Sequence, residues 1–160
     1  MMNTEDFFEL IEKNKIDEVK KAIRNGFEIN TRNKFGSSVV HIAVCENLGE
    51  MVKLLIDTGV SLNMQTKDGL TSLHYAAEYS KVELAELMLK NGADLSIQDK
   101  YGNQPLWTAT FNDKGRNDRR EIIKLFLKYG ADVNHKNNVN KSPKDIVSIA
   151  GYKNLEDIIT

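Results

Sequence analysis

The stretch DGLTSLHYAAEYSKVELAELMLKNGADLS, residues 68–96, decides the fold. Its first half, Thr71 to Tyr79, places Leu73, Ala76 and Ala77 on one face of a short helix. The paired alanines let that helix approach its neighbours closely. Its second half, Val82 to Gly92, repeats the pattern with Leu84, Leu87 and Met88 at helical spacing, and Gly92 suits a left-handed C-cap. The following ADLSIQDKYG, residues 93–102, has the Asp and Gly of a tight turn between short extended pieces. Two short helices and a turn cannot bury their apolar faces alone, so copies of such a unit must stack.

The copies are present. Gly26, Gly59 and Gly92, each second in NGFEIN, TGVSLN and NGADLS, lie 33 residues apart, as do the turn glycines Gly36, Gly69 and Gly102. From Gly92 to Gly130, in YGADVN, the interval grows to 38, so five extra residues lie between Gly102 and Gly130. The register divides the chain into five units within one domain, at 4–32, 33–65, 66–98, 99–136 and 137–160. The outer two read as caps. Residues 4–32 keep a helix pair through Phe7, Phe8, Leu10, Ile11, Val19, Ala22 and Ile23 but lack the opening turn. Residues 137–160 keep Ser142-Pro143 and an apolar face of Ile146, Val147, Leu155 and Ile158, with Asn140 replacing the turn glycine. Asn is the best non-glycine residue at positive φ, so this turn is weakened and not lost.

These residues resemble the ankyrin repeat, whose pattern runs Asp-x-x-Gly-x-Thr-Pro-Leu-His-x-Ala-Ala, a second helix, then Gly-Ala-Asp-Val-Asn. Asp68-Gly69-Leu70-Thr71-Ser72-Leu73-His74-Tyr75-Ala76-Ala77 with Gly92-Ala93-Asp94 carries the match most clearly. GSSVVHIA, Gly36 to Ala43, follows it with Val39 where the family usually has Pro. The resemblance covers essentially the whole chain and implies an all-α solenoid of helix-turn-helix units joined by β-turn or hairpin connections. It also implies that His41 and His74 bond turn backbone.

Composition excludes several functions. The 41% hydrophobic residues suffice for a core, and the 28% charged residues nearly balance at a formal net charge of -1, against a general nucleic-acid binder. No apolar run approaches the roughly 20 residues of a membrane span, and the start MMNTED has no signal-peptide features. A cytoplasmic protein, monomeric when free, is the expectation. The lone Cys45 forms neither an internal disulfide nor a zinc framework, and as a nucleophile it lacks a free base, because His41 one turn away is expected to be structural. His135, in the turn after Asn134, reads as an ordinary surface residue. With no phosphate loop, zincin motif or nucleophile elbow, neither an enzyme nor a cofactor is expected.

Binding remains, on the concave surface formed by turn tips and the open sides of the first helices. The tips supply Phe35, Lys67, Asp68, Leu70, Lys100, Tyr101 and Asn103, beside Lys34. The helices supply Cys45, Glu46, Glu78, Tyr79, Phe111 and Asn112. The aromatic members are either partner anchors or rings that fold back on neighbouring units. The insertion, 111–120, enlarges one inter-helix loop. Added loop length is entropically cheap, so it is either tolerated drift or a finger touching the partner through Arg116 and its basic neighbours Lys114, Arg119 and Arg120. Trp107 stands where the repeat has histidine and is expected to be buried, its ring N–H bonded to a backbone acceptor.

The fourth unit also looks like the ankyrin-type immunity proteins of bacterial polymorphic toxin systems. Asp99 to Ala109, Phe111-Asn112, the enlarged loop, Lys128 to Asp132, His135 to Asn138 and Lys141-Ser142-Pro143 carry that likeness, over the last third of the chain. It implies direct binding of a cognate toxin domain, where Glu46, Asp68 and Glu78 would mimic phosphates if the toxin were a nuclease. An effector or scaffold of an intracellular bacterium, and a regulatory subunit of an enzyme, are the competing readings.

Overall fold

The computed structural model describes residues 2–159, in which five helix pairs follow one another: α1 (Thr4–Glu12) with α2 (Ile16–Arg24), α3 (Val39–Cys45) with α4 (Gly49–Asp57), α5 (Ser72–Tyr79) with α6 (Val82–Lys90), α7 (Pro105–Asp113) with α8 (Arg120–Lys128), and α9 (Pro143–Ala150) with α10 (Lys153–Glu156). First helices stack on first helices and second on second, as α1 on α3, α3 on α5, α5 on α7 and α7 on α9. The architecture is therefore an all-α solenoid. Among the described residues the β contribution is one isolated bridge, Arg32 to Ser38.

The small residues at the helix crossings explain the close stacking. Ala43, Ala76 and Ala109 recur at the 33-residue period and are fully buried, while Met51, Leu55, Met88, Ile122 and Phe126 fill the space between second helices. Val147, Leu155 and Ile159 close the C-terminal end, Ile146 and Ile158 being half-buried. Within the first three pairs the two helices are joined through a residue at positive φ, Asn14, Asn47 and Ser80, again 33 apart. Asn tolerates that conformation because its short amide can bond locally.

Between pairs the chain makes the same reversed turn four times. Asn33 N donates to Ser37 O, Thr66 N to Leu70 O, Asp99 N to Asn103 O and Asn137 N to Lys141 O, at 2.9 to 3.0 Å. The last of these turns has Asn140 at φ 57°, where the others have glycine.

Side chains tie unit to unit in the same rhythm. Asn30 Oδ1 accepts from Ser61 N (2.8 Å) and Asn63 Oδ1 from Asp94 N (2.9 Å). Arg32 bonds Gly36 O and Gln65 O, and Gln65 in turn bonds Gly69 O and Gln98 O. No helix among the described residues is long and apolar enough to cross a membrane.

Candidate functional site

Each turn ends in a tip that projects beside the open face of its first helix. The residue before the turn glycine, or before Asn140, is Phe35, Asp68, Tyr101 and Val139 in successive units. The seventh residue of α3, α5, α7 and α9 is Cys45, Glu78, Phe111 and Ile149. Two rows of side chains thus border one surface, and the same positions change character along it. Phe35, Tyr101 and Val139 are 67%, 59% and 72% exposed in the tip row, and Phe111 and Ile149 are 45% and 66% exposed in the helix row. Tyr79, one residue beyond Glu78, is 49% exposed. The four aromatic residues singled out from the sequence therefore stay open to solvent and do not fold back. Val139 and Ile149 escaped the sequence reading, although counting 38 residues on from Tyr101 and Phe111 finds both.

Aromatic rings are layered behind this surface. Trp107 stacks on Phe111 with centroids 4.8 Å apart, and Tyr75 stacks toward Tyr79 at 6.4 Å and meets His41 edge-on at 5.4 Å. On the tips, Lys34 lies over the Phe35 ring and Lys100 over that of Tyr101. Lys100 also pairs with Asp68 at 2.9 Å, and Lys67 Nζ donates to Lys34 O at 3.0 Å. Glu46 and Glu78 are exposed, and among the described residues neither has an ion-pair partner within 4.0 Å.

The histidines are structural, and their geometry assigns the tautomer. Ser38 N and Thr71 N donate to Nδ1 of His41 and His74, each at 3.0 Å, so Nδ1 is the bare nitrogen. Nε2 then carries the proton and donates to Leu70 O and Asn103 O of the next unit, also at 3.0 Å. Burial lowers the pKa of His41 to about 4 and pushes that of His74 down as well. Cys45 is half-buried one turn from His41, and burial followed by the charges of Glu46 and Glu78 raises its thiol to about 11. A protonated thiol beside an imidazole engaged at both nitrogens is no nucleophilic pair.

Three expectations need correcting, and the insertion takes on a definite shape. Asn103 is only 7% exposed and does not face solvent, because its amide donates to Asp99 and its carbonyl oxygen accepts from Asn137 Nδ2 at 2.8 Å. His135 is no ordinary surface residue, since its Nε2 donates to Gly102 O at 3.0 Å. Trp107 is half-buried, and its Nε1, though shielded from solvent, has no acceptor among the described residues. The insertion is braced against the rest of the chain. Asp113 at the end of α7 is fully buried and accepts from Asn117 N, Arg119 N and Asn154 Nδ2. Arg119 reaches Glu78 O at 2.8 Å, Arg120 pairs with Asp157, and Arg116 pairs with Asp118 at 3.2 Å. The basic side chains that advertise a positive loop in the sequence are largely engaged by the protein itself, Lys114 excepted.

The remaining candidates fall near the surface with less prominence. Leu70 and Asn112 are half-buried, with Asn112 Nδ2 donating to Thr108 O at 3.0 Å, whereas Lys67, Asp68 and Lys100 are exposed along the tips. Among the described residues no three His, Cys, Asp or Glu side chains converge as metal ligands do.

The comparisons with known proteins agree with this construction. No curated protein matches the chain. The family described as ankyrin repeats, three copies, matches residues 7–99, and the single ankyrin repeat matches residues 101–138. Together the two matches span most of the described solenoid, and the chain belongs to the ankyrin repeat family.

Proposed function

We propose that the chain is a non-enzymatic module that binds another protein along the surface between its tips and its first helices. The observation that carries this reading is the gathering of exposed apolar groups. Of the large hydrophobic residues left open to solvent, Phe35, Tyr79, Tyr101, Phe111, Val139 and Ile149 all border that one surface, and among the described residues only Met2 does not. Solvated aromatic and aliphatic groups concentrated on one face of a fold mark an interaction site. Its narrower form is an immunity protein that holds a cognate toxin domain in an inactive complex, supported by the resemblance carried by residues 99–143. Affinity purification of the tagged chain from its native host, with mass spectrometry, tests both. One toxin domain retained by the native chain and lost with Tyr101→Ala and Phe111→Ala together is the expected result. Capture of host-cell proteins in its place removes the immunity form and favours the effector reading. Retention by that double variant as strong as by the native chain sinks the surface assignment.

A further inference from the structure

The surface is chemically graded along the stack. In the second unit the rows are Phe35 and Cys45 with Glu46 alongside, and in the third both rows are acidic, Asp68 at the tip and Glu78 on α5. In the fourth they are Tyr101 and Phe111, and in the fifth Val139 and Ile149, so each of the last two units offers an apolar pair. Toward the N-terminus lies a cleft of about 470 Å³ of mixed character, lined by Glu5, Glu12 and the Glu9–Lys13 pair on one side and by Lys34 and Phe35 on the other.

The negative character of the third unit is felt by its neighbours. Tyr79 is pushed above the usual phenol range mainly by Glu78, and the Cys45 thiol, already raised by burial, is raised further by Glu46 and Glu78. The nearby cations offset it only in part. Lys81 acts on the Cys45 thiol in the opposite sense but less than Glu46 or Glu78, Lys100 is held by Asp68, and Arg119 lies 3.3 Å from Asp118 while its Nη2 bonds the backbone oxygen of Glu78, not the carboxylate. Glu78 and Glu46 are therefore left for an outside cation, while the two apolar pairs beyond them are left for outside hydrocarbon.

We propose that the partner lays across this surface a segment carrying a lysine or arginine at the third unit, followed by two large apolar side chains at the fourth and fifth. This deepens, and rests on, the protein-binding reading above. Packed helices lie roughly 8–10 Å apart. An extended segment covers one such step in about three residues at roughly 3.3 Å each, so the expected pattern is a basic residue and then two apolar ones at about every third position, in either chain direction. The ordering fixes polarity: reversing the segment would set hydrocarbon against Glu46 and Glu78 and leave the cation over Val139 and Ile149. Charge placed this way selects orientation and partner more than it adds affinity.

A phage-displayed random peptide library, panned on the full-length chain, tests the order directly. Enriched peptides are expected to share the basic-then-apolar pattern. Their binding is expected to fall at least about tenfold with Phe111→Ser or Ile149→Ser, a loss of about 1.4 kcal/mol. Panning on a Glu46→Lys/Glu78→Lys variant is expected to abolish the basic preference while keeping the apolar positions. All four side chains are at least partly exposed, so circular dichroism should register no change in fold. Peptides that lose binding with Phe111→Ser yet show no basic residue, or keep it on the charge-reversed variant, overturn the ordering and leave protein binding intact. Peptides indifferent to every substitution overturn both, because they dock elsewhere. Failure to enrich any peptide above the uncoated support counts against the ordered site alone.

Discussion

The imidazole of His74 donates from Nε2 to the backbone carbonyl of Asn103, 3.0 Å away across the boundary between the third and fourth units. His41 makes the same bond to Leu70 O one unit earlier. Each ring also accepts the N-cap amide of its own helix, so one side chain closes a helix end and fastens the next turn.

That double role predicts acid sensitivity well above the carboxylate range. The folded state refuses a proton on His41 until about pH 4, whereas the unfolded chain accepts one near 6.5. The unfolded state therefore binds more protons between these values, and stability falls as pH is lowered through them. For His41 the full effect is roughly 3 kcal/mol, and His74 adds in the same direction. Urea unfolding at intervals from pH 7.5 to 4 checks it. A midpoint that stays level across that window contradicts the neutral tautomers.

Asp113→Ala is expected to destabilise the fold by about 2 to 4 kcal/mol, since it leaves two backbone amides and the Asn154 amide without an acceptor. It should also make 114–119 sensitive to protease while the tips stay resistant. Equal cleavage rates for native and variant chains would show that Asp113 does not hold the loop.

The Cys45 thiol should be slow toward disulfide reagents at neutral pH, because with a pKa of about 11 only about one thiol in several thousand is ionised at pH 7.4. Removing the neighbouring charges in Glu46→Gln/Glu78→Gln should accelerate the reaction, though less than unfolding does. Thiolate absorbance measured through a pH titration gives the value directly, and a midpoint below 9 refutes it.

Gly69→Ala should cost clearly more than Gly92→Ala. Both residues have positive φ, 81° and 90°, so each alanine bears about 1 to 2 kcal/mol of backbone strain. Only at Gly69 does an added Cβ also meet backbone, 2.9 Å from Lys100 N and 3.0 Å from Asp99 C, whereas nothing lies within 4 Å of it at Gly92. Comparable denaturation midpoints for the two variants would mean that the turns do not nest as tightly as described.

The repeat and its helices are legible in the sequence because each depends on residues close together and recurring in phase, whereas the histidine bonds, which reach 29 residues on, are expected only from the resemblance to the ankyrin repeat. Asn103 is not, because its position, just past a turn glycine, looks exposed until Asn137 from the next turn covers it. Asp113 invites the reverse error: beside Lys114 and Arg116 it reads as one more surface charge, and only Asn154, 41 residues on, shows that it is an anchor. Val139 and Ile149 are hidden by the change of interval from 33 to 38, which draws attention to the extra residues and away from the register beyond them. Trp107 is recognisable as the histidine replacement, but an indole cannot accept a hydrogen bond, so no helix-closing bond forms there.

The inserted loop alters how the array comes apart. In a simple repeat stack each unit touches only its nearest neighbours, and unravelling can start from either end. Here Arg119 and Ser80 lash the loop to the unit before it, while Asp113 and Arg120 lash it to the unit after. These ties add to the unit-to-unit bonds found along the rest of the stack, so the last three units are expected to melt together as a block after the first two have frayed. The apolar pairs and the acidic third unit both ride on that block, so a partner gripping them meets a rigid plate, while Phe35 and Glu46 on the unit before it remain free to give.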